Sequence, residues 1–256
     1  MKTAVRKYEF TEEVKILCDG TALHRIRALI DIDLGWRVVK AGELGGWVEK
    51  EGNLSHIGNC WVYENAKVYG NAKVYGDAEV CGDAKALGDA KVYGNAEVCG
   101  NAEVYGYADV YGYADVYGNA EVCGNAEVCG NAEVFSGAVV RGNANVCGDA
   151  HVFKKDHVLV IGPIGSRSDF TTFMRNKSGE ILVKCGCFFG TADEFLTKVQ
   201  NTHGDSKYTV VYRAAVALAV EQIDTTPETE DDINEINHIA DDACGSWIMK
   251  RFTKTE

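Results

Sequence analysis

From Tyr63 to Val152, apolar and polar positions recur every six residues. Val62, Val68, Val74, Val80, Val92, Val98, Val104, Val110, Val116, Val122, Val128, Val134, Val140 and Val146 hold one register, interrupted by Ala86; Ala66, Ala72, Ala78, Ala84 and Ala90 begin a second. An α-helix would carry such positions around its cylinder, because six residues are not a whole number of 3.6-residue turns. A strand suits the pattern: within VYGNAK or VCGNAE, Ala, a charged residue, Val, and Tyr or Cys alternate inward and outward. Gly followed by Asn or Asp then turns the chain, both tolerating left-handed backbone. Short strands joined by corners make a solenoid. The register reaches back through Gly46-Trp47-Val48 and Gly52-Asn53-Leu54, giving 18 hexads from near Leu44 to His151.

The phrase resembles the hexapeptide repeat of left-handed parallel β-helices, whose triangular coils of three hexads point an aliphatic and a small residue inward; for 18 hexads that resemblance implies six coils and a prism about 29 Å long. It departs from that family in placing Gly two residues after the aliphatic position. The expected fold is mainly β: a left-handed parallel β-helix over 44–153, an N-terminal β cap over 1–43 and a small C-terminal α+β domain over 154–256. In the cap, Asp19-Gly20 between VKILC and TALHRIRALI predicts a tight hairpin. Trp36, Trp47 and Trp61 are expected to cover the first coil. Beyond Phe153, HVLVIGPIG reads as a buried strand, and FTTFMR and EILVKCGCFF as paired strands turning at Asn176–Gly179. Thr191 with Glu194 forms a capping box for a helix ending at Gly204. Tyr208, Val211, Tyr212, Ala215, Leu218 and Ala219 mark a second helix, and Ile233, Ile236, Ile239 and Ala240 a third, with Trp247, Ile248 and Met249 docking it.

The net charge of −12 argues against a general nucleic-acid binder and leaves an acidic nucleic-acid mimic as one alternative. There is no apolar run of membrane-spanning length and no secretion leader, so a cytoplasmic protein is expected. Ten cysteines form no CxxC pair. Cys81, Cys99, Cys123, Cys129 and Cys147 fill the outward slot held elsewhere by Tyr, as small apolar fillers. Cys81 with Cys99, and Cys129 with Cys147, fall one coil apart, within disulfide range, but a reducing cytosol argues against bridging. Cys185-Gly186-Cys187 is read as strand rather than metal or redox chemistry.

Stacking every eighteenth residue predicts the surface. Ile57, Tyr75, Tyr93, Tyr111, Cys129 and Cys147 form one line, flanked by the ladder Glu79, Glu97, Asp115 and Glu133 and then His151. Tyr69, Leu87, Tyr105, Cys123 and Arg141 run beside Lys73, Lys91, Asp109, Glu127 and Asn145. Tyr63, Cys81, Cys99, Tyr117, Phe135 and Phe153 run beside Lys67, Lys85, Glu103 and Glu121. Tyr75, Tyr93, Tyr111, Tyr117 and Phe135 are candidates for an oligomer interface, the hexapeptide resemblance implying a trimer. The ladder is a weak metal candidate; no metal and no cofactor are expected.

Hexapeptide resemblance also implies acyltransferases using acyl-coenzyme A with a histidine base. Within the repeat only His56 and His151 occur, at opposite ends, and no hexad carries an inserted loop to shape an acceptor pocket. The best small-ligand candidate is the glycine-rich turn Gly162, Gly165, Ser166, Arg167 and Ser168, with Lys184, as an anion or phosphate site; Arg175 and His203 are further candidates for it. It lacks the P-loop and dinucleotide fingerprints, and a strand-ending turn is the structural alternative. AGELGGWVEKEGNLS before the hexads and IGPIGSR after them together resemble hexapeptide proteins of bacteriophages and mobile elements. That resemblance implies a counter-defence role, sequestering a nucleotide-type signal or blocking a host protein. The expected function is therefore non-enzymatic binding by an oligomeric scaffold, through its tail.

Overall fold

The computed structural model describes residues 5–226 together with Thr229, Asp232, Asn234 and His238. Thr229 Oγ1 accepts from the Asp232 amide while the Asp232 carboxylate accepts from the Thr229 amide, and Asp232, Asn234 and His238 are helical. The apolar stripe expected at Ile233, Ile236, Ile239 and Ala240, and the docking by Trp247, Ile248 and Met249, lie outside the described residues.

The repeat folds as a parallel β-solenoid of about six coils. Each hexad supplies a two-residue strand, and every third strand pairs in register with its equivalent one coil away. A first face carries Lys67–Val68, Lys85–Ala86, Glu103–Val104, Glu121–Val122 and Val139–Val140; a second carries Lys73–Val74 through Asn145–Val146; a third carries Trp61–Val62 through His151–Val152. The ladder continues past the strands: Lys91 N donates to Ala108 O and Tyr93 N to Val110 O, each at 2.9 Å. The inward Val and Ala side chains are essentially inaccessible, forming one continuous core. Alternating small and larger side chains fit the narrow prism, where extra methylenes would cost about 1–3 kcal/mol.

The corners explain the glycines. Gly94 has φ +75°, and a Cβ there would stand 3.0 Å from the Gly112 nitrogen in the next coil. Glycine thus stacks on glycine. Glu64 and Ser136 occupy equivalent corners at φ 58° and 57°, so two departures from the phrase leave the turn intact.

The cap is continuous with the first face. Leu44–Val48 pairs antiparallel with Ala22–Ala28, which pairs with Tyr8–Ile16, while its other edge pairs in parallel with Lys67–Val68. Asp19 Oδ1 accepts from Thr21 N in the hairpin turn, and Gly20 adopts φ +88°. Tyr8, Ile26 and Trp61, all fully buried, close the first coil, and Trp47 is 8% exposed. Trp36 instead lies over the third face, its indole N–H reaching Glu79.

The tail is a four-stranded antiparallel sheet in the order Val158–Ile164, Asp169–Arg175, Ile181–Cys185, Phe188–Thr191. One side closes the far end of the solenoid: Met174 and Leu182 belong to the prism core, Val158 and Val160 pack on it, and Thr172 Oγ1 accepts from Asn145 N. The other side buries Phe173 and Val183 against the helices Ala192–His203 and Lys207–Gln222. Thr191 and Glu194 form the expected capping box, and Gly204 caps the first helix. In the second helix Tyr212, Ala215, Val216 and Ala219 are buried while Val211 and Leu218 are exposed, shifting the expected stripe. Cys185 ends its strand, but Gly186 and Cys187 form a turn, because Gly186 takes φ +58°.

Candidate functional site

Strand alternation corrects the expected surface map. Outward residues two apart point the same way before the glycine corner intervenes, so each aromatic slot sits beside the charged slot of its own strand. Tyr63 donates to Glu79 at 2.9 Å, Tyr105 to Glu121 at 3.3 Å and Tyr111 to Glu127 at 3.2 Å. The acidic ladder therefore accompanies Tyr63, Cys81, Cys99, Tyr117, Phe135 and Phe153, not the tyrosine line.

That third-face line is a second core. Cys81 and Phe135 are fully buried, and Cys99 and Tyr117 are each 2% exposed. Tyr117 stacks on Phe135 at 4.9 Å and Phe135 on Phe153 at 5.4 Å. Tyr117 and Phe135 are thus inaccessible, unlike an interface stripe. Cys81 and Cys99 form a disulfide with Cα atoms 4.6 Å apart, contrary to the sequence expectation. The physical reason is register: equivalent slots on stacked coils stand one strand spacing apart. Along the ladder, Glu79 is 5% exposed and accepts from Trp36 and Tyr63, while Glu133 Oε2 lies 3.4 Å from His151 Nε2. Among the described residues no group of three or more His, Cys, Asp or Glu is arranged to hold a metal ion.

On the second face Tyr75, Tyr93 and Tyr111 stack at 4.8 and 5.0 Å with rings within 6° of parallel. They are half-buried, so the line remains on the surface. Charges change sign along the axis through direct contacts: Lys85 pairs with Glu103 on the first face and Lys91 with Asp109 on the second. Below Tyr111 come Cys129 and Cys147. Hydrogen bonding from Cys147 holds the Cys129 thiol down at about 7 against the opposing effect of burial, with the charge of Lys184 acting the same way; the donor role and burial push Cys147 up.

The glycine-rich turn is one hairpin connection between the first two tail strands. Gly162 passes against Phe170, where a Cβ would meet Cδ1 at 2.6 Å, and Gly165 passes against the Tyr212 hydroxyl. Ser166, Arg167 and Ser168 are exposed at the hairpin tip, Arg167 near Gly186 and Tyr212. Lys184 acts on Cys129 and Cys147, on the solenoid side of the sheet, whereas neighbouring Cys185 meets Tyr212 on the helix side. Arg175 is 1% exposed, its guanidinium 5.4 Å from the Phe153 ring and donating to the carbonyls of Asp224 and Thr226. His203 stacks with Tyr212. These cations do not converge.

A different set does. Between the last coils and the tail sheet lies a groove of about 760 Å³ lined by Glu121, Val139, Arg141, Asn143, Lys155, Val158, Val160, Phe170 and Gln222. Arg141 stands in the aromatic slot of the first face, Lys155 in the connection leaving the solenoid, Phe170 on the second tail strand and Gln222 at the end of the last described long helix. The chain matches no protein-family model and no curated protein. The groove therefore has to be read from its chemistry: an apolar floor, an aromatic ring, two amides and two cations against one carboxylate. The signal for it in sequence was Arg141, the sole cation among the outward Tyr, Cys, Leu and Phe slots of the repeat.

The histidines of the repeat are engaged otherwise. His56 Nδ1 accepts from Lys7 N while its ring stacks on Tyr8, and His151 packs edge-on to Phe135 and Phe153. From Gly70 to Gly130 the corners are two-residue turns. No helix among the described residues is long and apolar enough to cross a membrane.

Proposed function

We propose that this chain is a non-enzymatic binding protein whose groove between the last coils and the tail takes a small nucleotide-like anion. The observation that carries this reading is the convergence of Arg141, Lys155, Gln222 and Phe170 on one concave site in a chain of net charge −12. Two cations suit phosphate oxygens, the Phe170 ring suits a flat base, and Gln222 offers both a donor and an acceptor. The volume is that of a small-molecule site. The proposed site involves the tail, as expected from the sequence, but draws its cations from Arg141 and Lys155 in place of Arg167 and Lys184.

This reading fits the sequestering role implied by the resemblance to hexapeptide proteins of phages and mobile elements, acting in the host cytoplasm. The half-exposed column Tyr75, Tyr93 and Tyr111 is the face on which prisms would assemble, as a trimer. An acyltransferase reading is less well supported, because His56 and His151 are held in packing contacts. A nucleic-acid mimic is also less well supported, because Glu79 is buried and other carboxylates pair with Lys85 and Lys91.

Calorimetric titration with a panel of mono- and dinucleotides tests the groove. Binding should weaken at least tenfold, about 1.4 kcal/mol, in Arg141→Ala/Lys155→Ala and persist in Arg167→Ala. Absence of binding to the native protein, or binding untouched by the double substitution, overturns the site. Light scattering tests assembly, a strict monomer at micromolar concentration ruling out the trimer.

A further inference from the structure

Cys129 and Cys147 occupy the same outward slot of the second face on successive coils. Their strands pair in parallel, with Val128 opposite Val146, and Cys129 N donates to Val146 O at 2.9 Å. This is the relationship that Cys81 and Cys99 have on the third face, where the sulfurs are bonded. Here both thiols are free and in hydrogen-bond contact with one another. Cys129 is partly exposed and Cys147 is 8% exposed, so one sulfur is reachable from solvent and the other waits beneath it.

The surroundings favour attack by the reachable sulfur. Tyr111 fills the slot one coil before Cys129 and gives its proton to Glu127, and the positive charge of Lys184 on the tail sheet favours the thiolate form of both cysteines. The Glu127 carboxylate opposes the thiolate but accepts from Tyr111 and from the Asn145 amide. A thiolate fraction, access and an adjacent resolving thiol are the three requirements of a dithiol that reacts with disulfides.

We propose that Cys129 and Cys147 form a redox-active dithiol that closes into a second inter-coil disulfide by exchange with a small disulfide such as oxidised glutathione. The Cys129 thiolate attacks one glutathione sulfur, breaking its S–S bond and releasing one glutathione thiolate, which takes up a proton. Cys147 then loses its proton and attacks Cys129 Sγ, forming the protein disulfide and expelling the second glutathione. Two protein thiols are oxidised and one glutathione disulfide is reduced to two thiols. Cys129 is the attacking and Cys147 the resolving sulfur. The bridge would join coils that the tail sheet covers, fixing the end of the solenoid beside Lys184.

The full-length protein, incubated with oxidised glutathione and cleaved after glutamate, gives a fragment 128–133 in which Cys129 is the sole cysteine. Mass spectrometry should find it joined to the fragment carrying Cys147, with loss of two hydrogen atoms and no retained glutathione. Cys147→Ser should trap glutathione on Cys129, and Cys129→Ser should leave Cys147 unmodified. The slot accepts Tyr, Leu or Arg in other coils, and retention of the Cys81–Cys99 bridge in the same digest reports that the variants fold. Persistent glutathione on Cys129 in the unsubstituted protein, an alkylatable Cys129 after treatment, or a bridge to Cys123 overturns the proposal.

Discussion

Cys81 and Cys99 are bonded across two coils while lying at 0% and 2% exposure, so the crosslink is inside a packed aromatic column rather than on the surface. A crosslink over this span restricts the unfolded chain by about 3 kcal/mol in the chain-entropy model. Cys81→Ala/Cys99→Ala should lower unfolding stability by up to that amount, measured by urea titration. Reductant should act on the wild-type bridge only once denaturant opens the coil; reduction at full speed under native conditions would contradict the burial.

Gly94→Ala places a methyl group against Gly112 in a left-handed corner. A cost of about 1–2 kcal/mol is expected from the backbone conformation alone. Gly137→Ala, at a position with ordinary φ and nothing near the added carbon, should be almost neutral. Thermal melts of the two variants compare them directly, and equal shifts would refute the stacked-glycine argument.

His157 is fully buried, and burial, followed by the charge of Arg175, depresses it from 6.5 to about 4. Its Nδ1 accepts from Phe153 N. Between these values the unfolded chain binds a proton that the folded chain refuses. Stability from this group is therefore complete above pH 6.5 and falls by about 2–3 kcal/mol as pH drops toward 4. His157→Asn should flatten the slope in that window, as read from urea midpoints at successive pH values; an unchanged slope would show that other groups carry it.

Met174 is fully buried where the tail sheet closes the prism. Met174→Lys should lift that lid and bare the core and strand edges of the last coil, which invite pairing with other chains. Higher-order species by light scattering are the expected result, with the solenoid's far-ultraviolet dichroism retained. A monodisperse, fully stable variant would show that the lid is dispensable.

The solenoid was legible because Val and Ala repeat with one period and Gly recurs at every corner but two. Thr191 and Glu194 likewise announced their helix through a local pair. The partition of the outward slot was not legible: Tyr and Cys fill it on all three faces, yet Tyr117 and Cys81 are buried while Tyr93 and Cys129 are half-exposed. Nor was the groove, because Arg141, Lys155, Phe170 and Gln222 meet only once the tail has folded back on the last coils. The neighbour of each ladder carboxylate differs from the sequence expectation for a geometric reason: pairing Tyr75 with Glu79, four positions on, crosses the glycine corner, whereas each slot lies beside the charged position two residues back on its own strand.

The glycine-on-glycine corner also quantises the length of this protein. Deleting residues 92–109 would seat Val110 beneath Val74, bring Lys91 toward Glu127 and shorten the prism by about 4.8 Å, with every face keeping its own kind of side chain. Removing a single hexad would turn everything downstream by a third of a revolution, sending the buried aromatic column into solvent and the tail to another side. Change by duplication or loss is thus permitted in steps of eighteen residues and penalised in steps of six, so the chain works as a ruler graduated in whole coils.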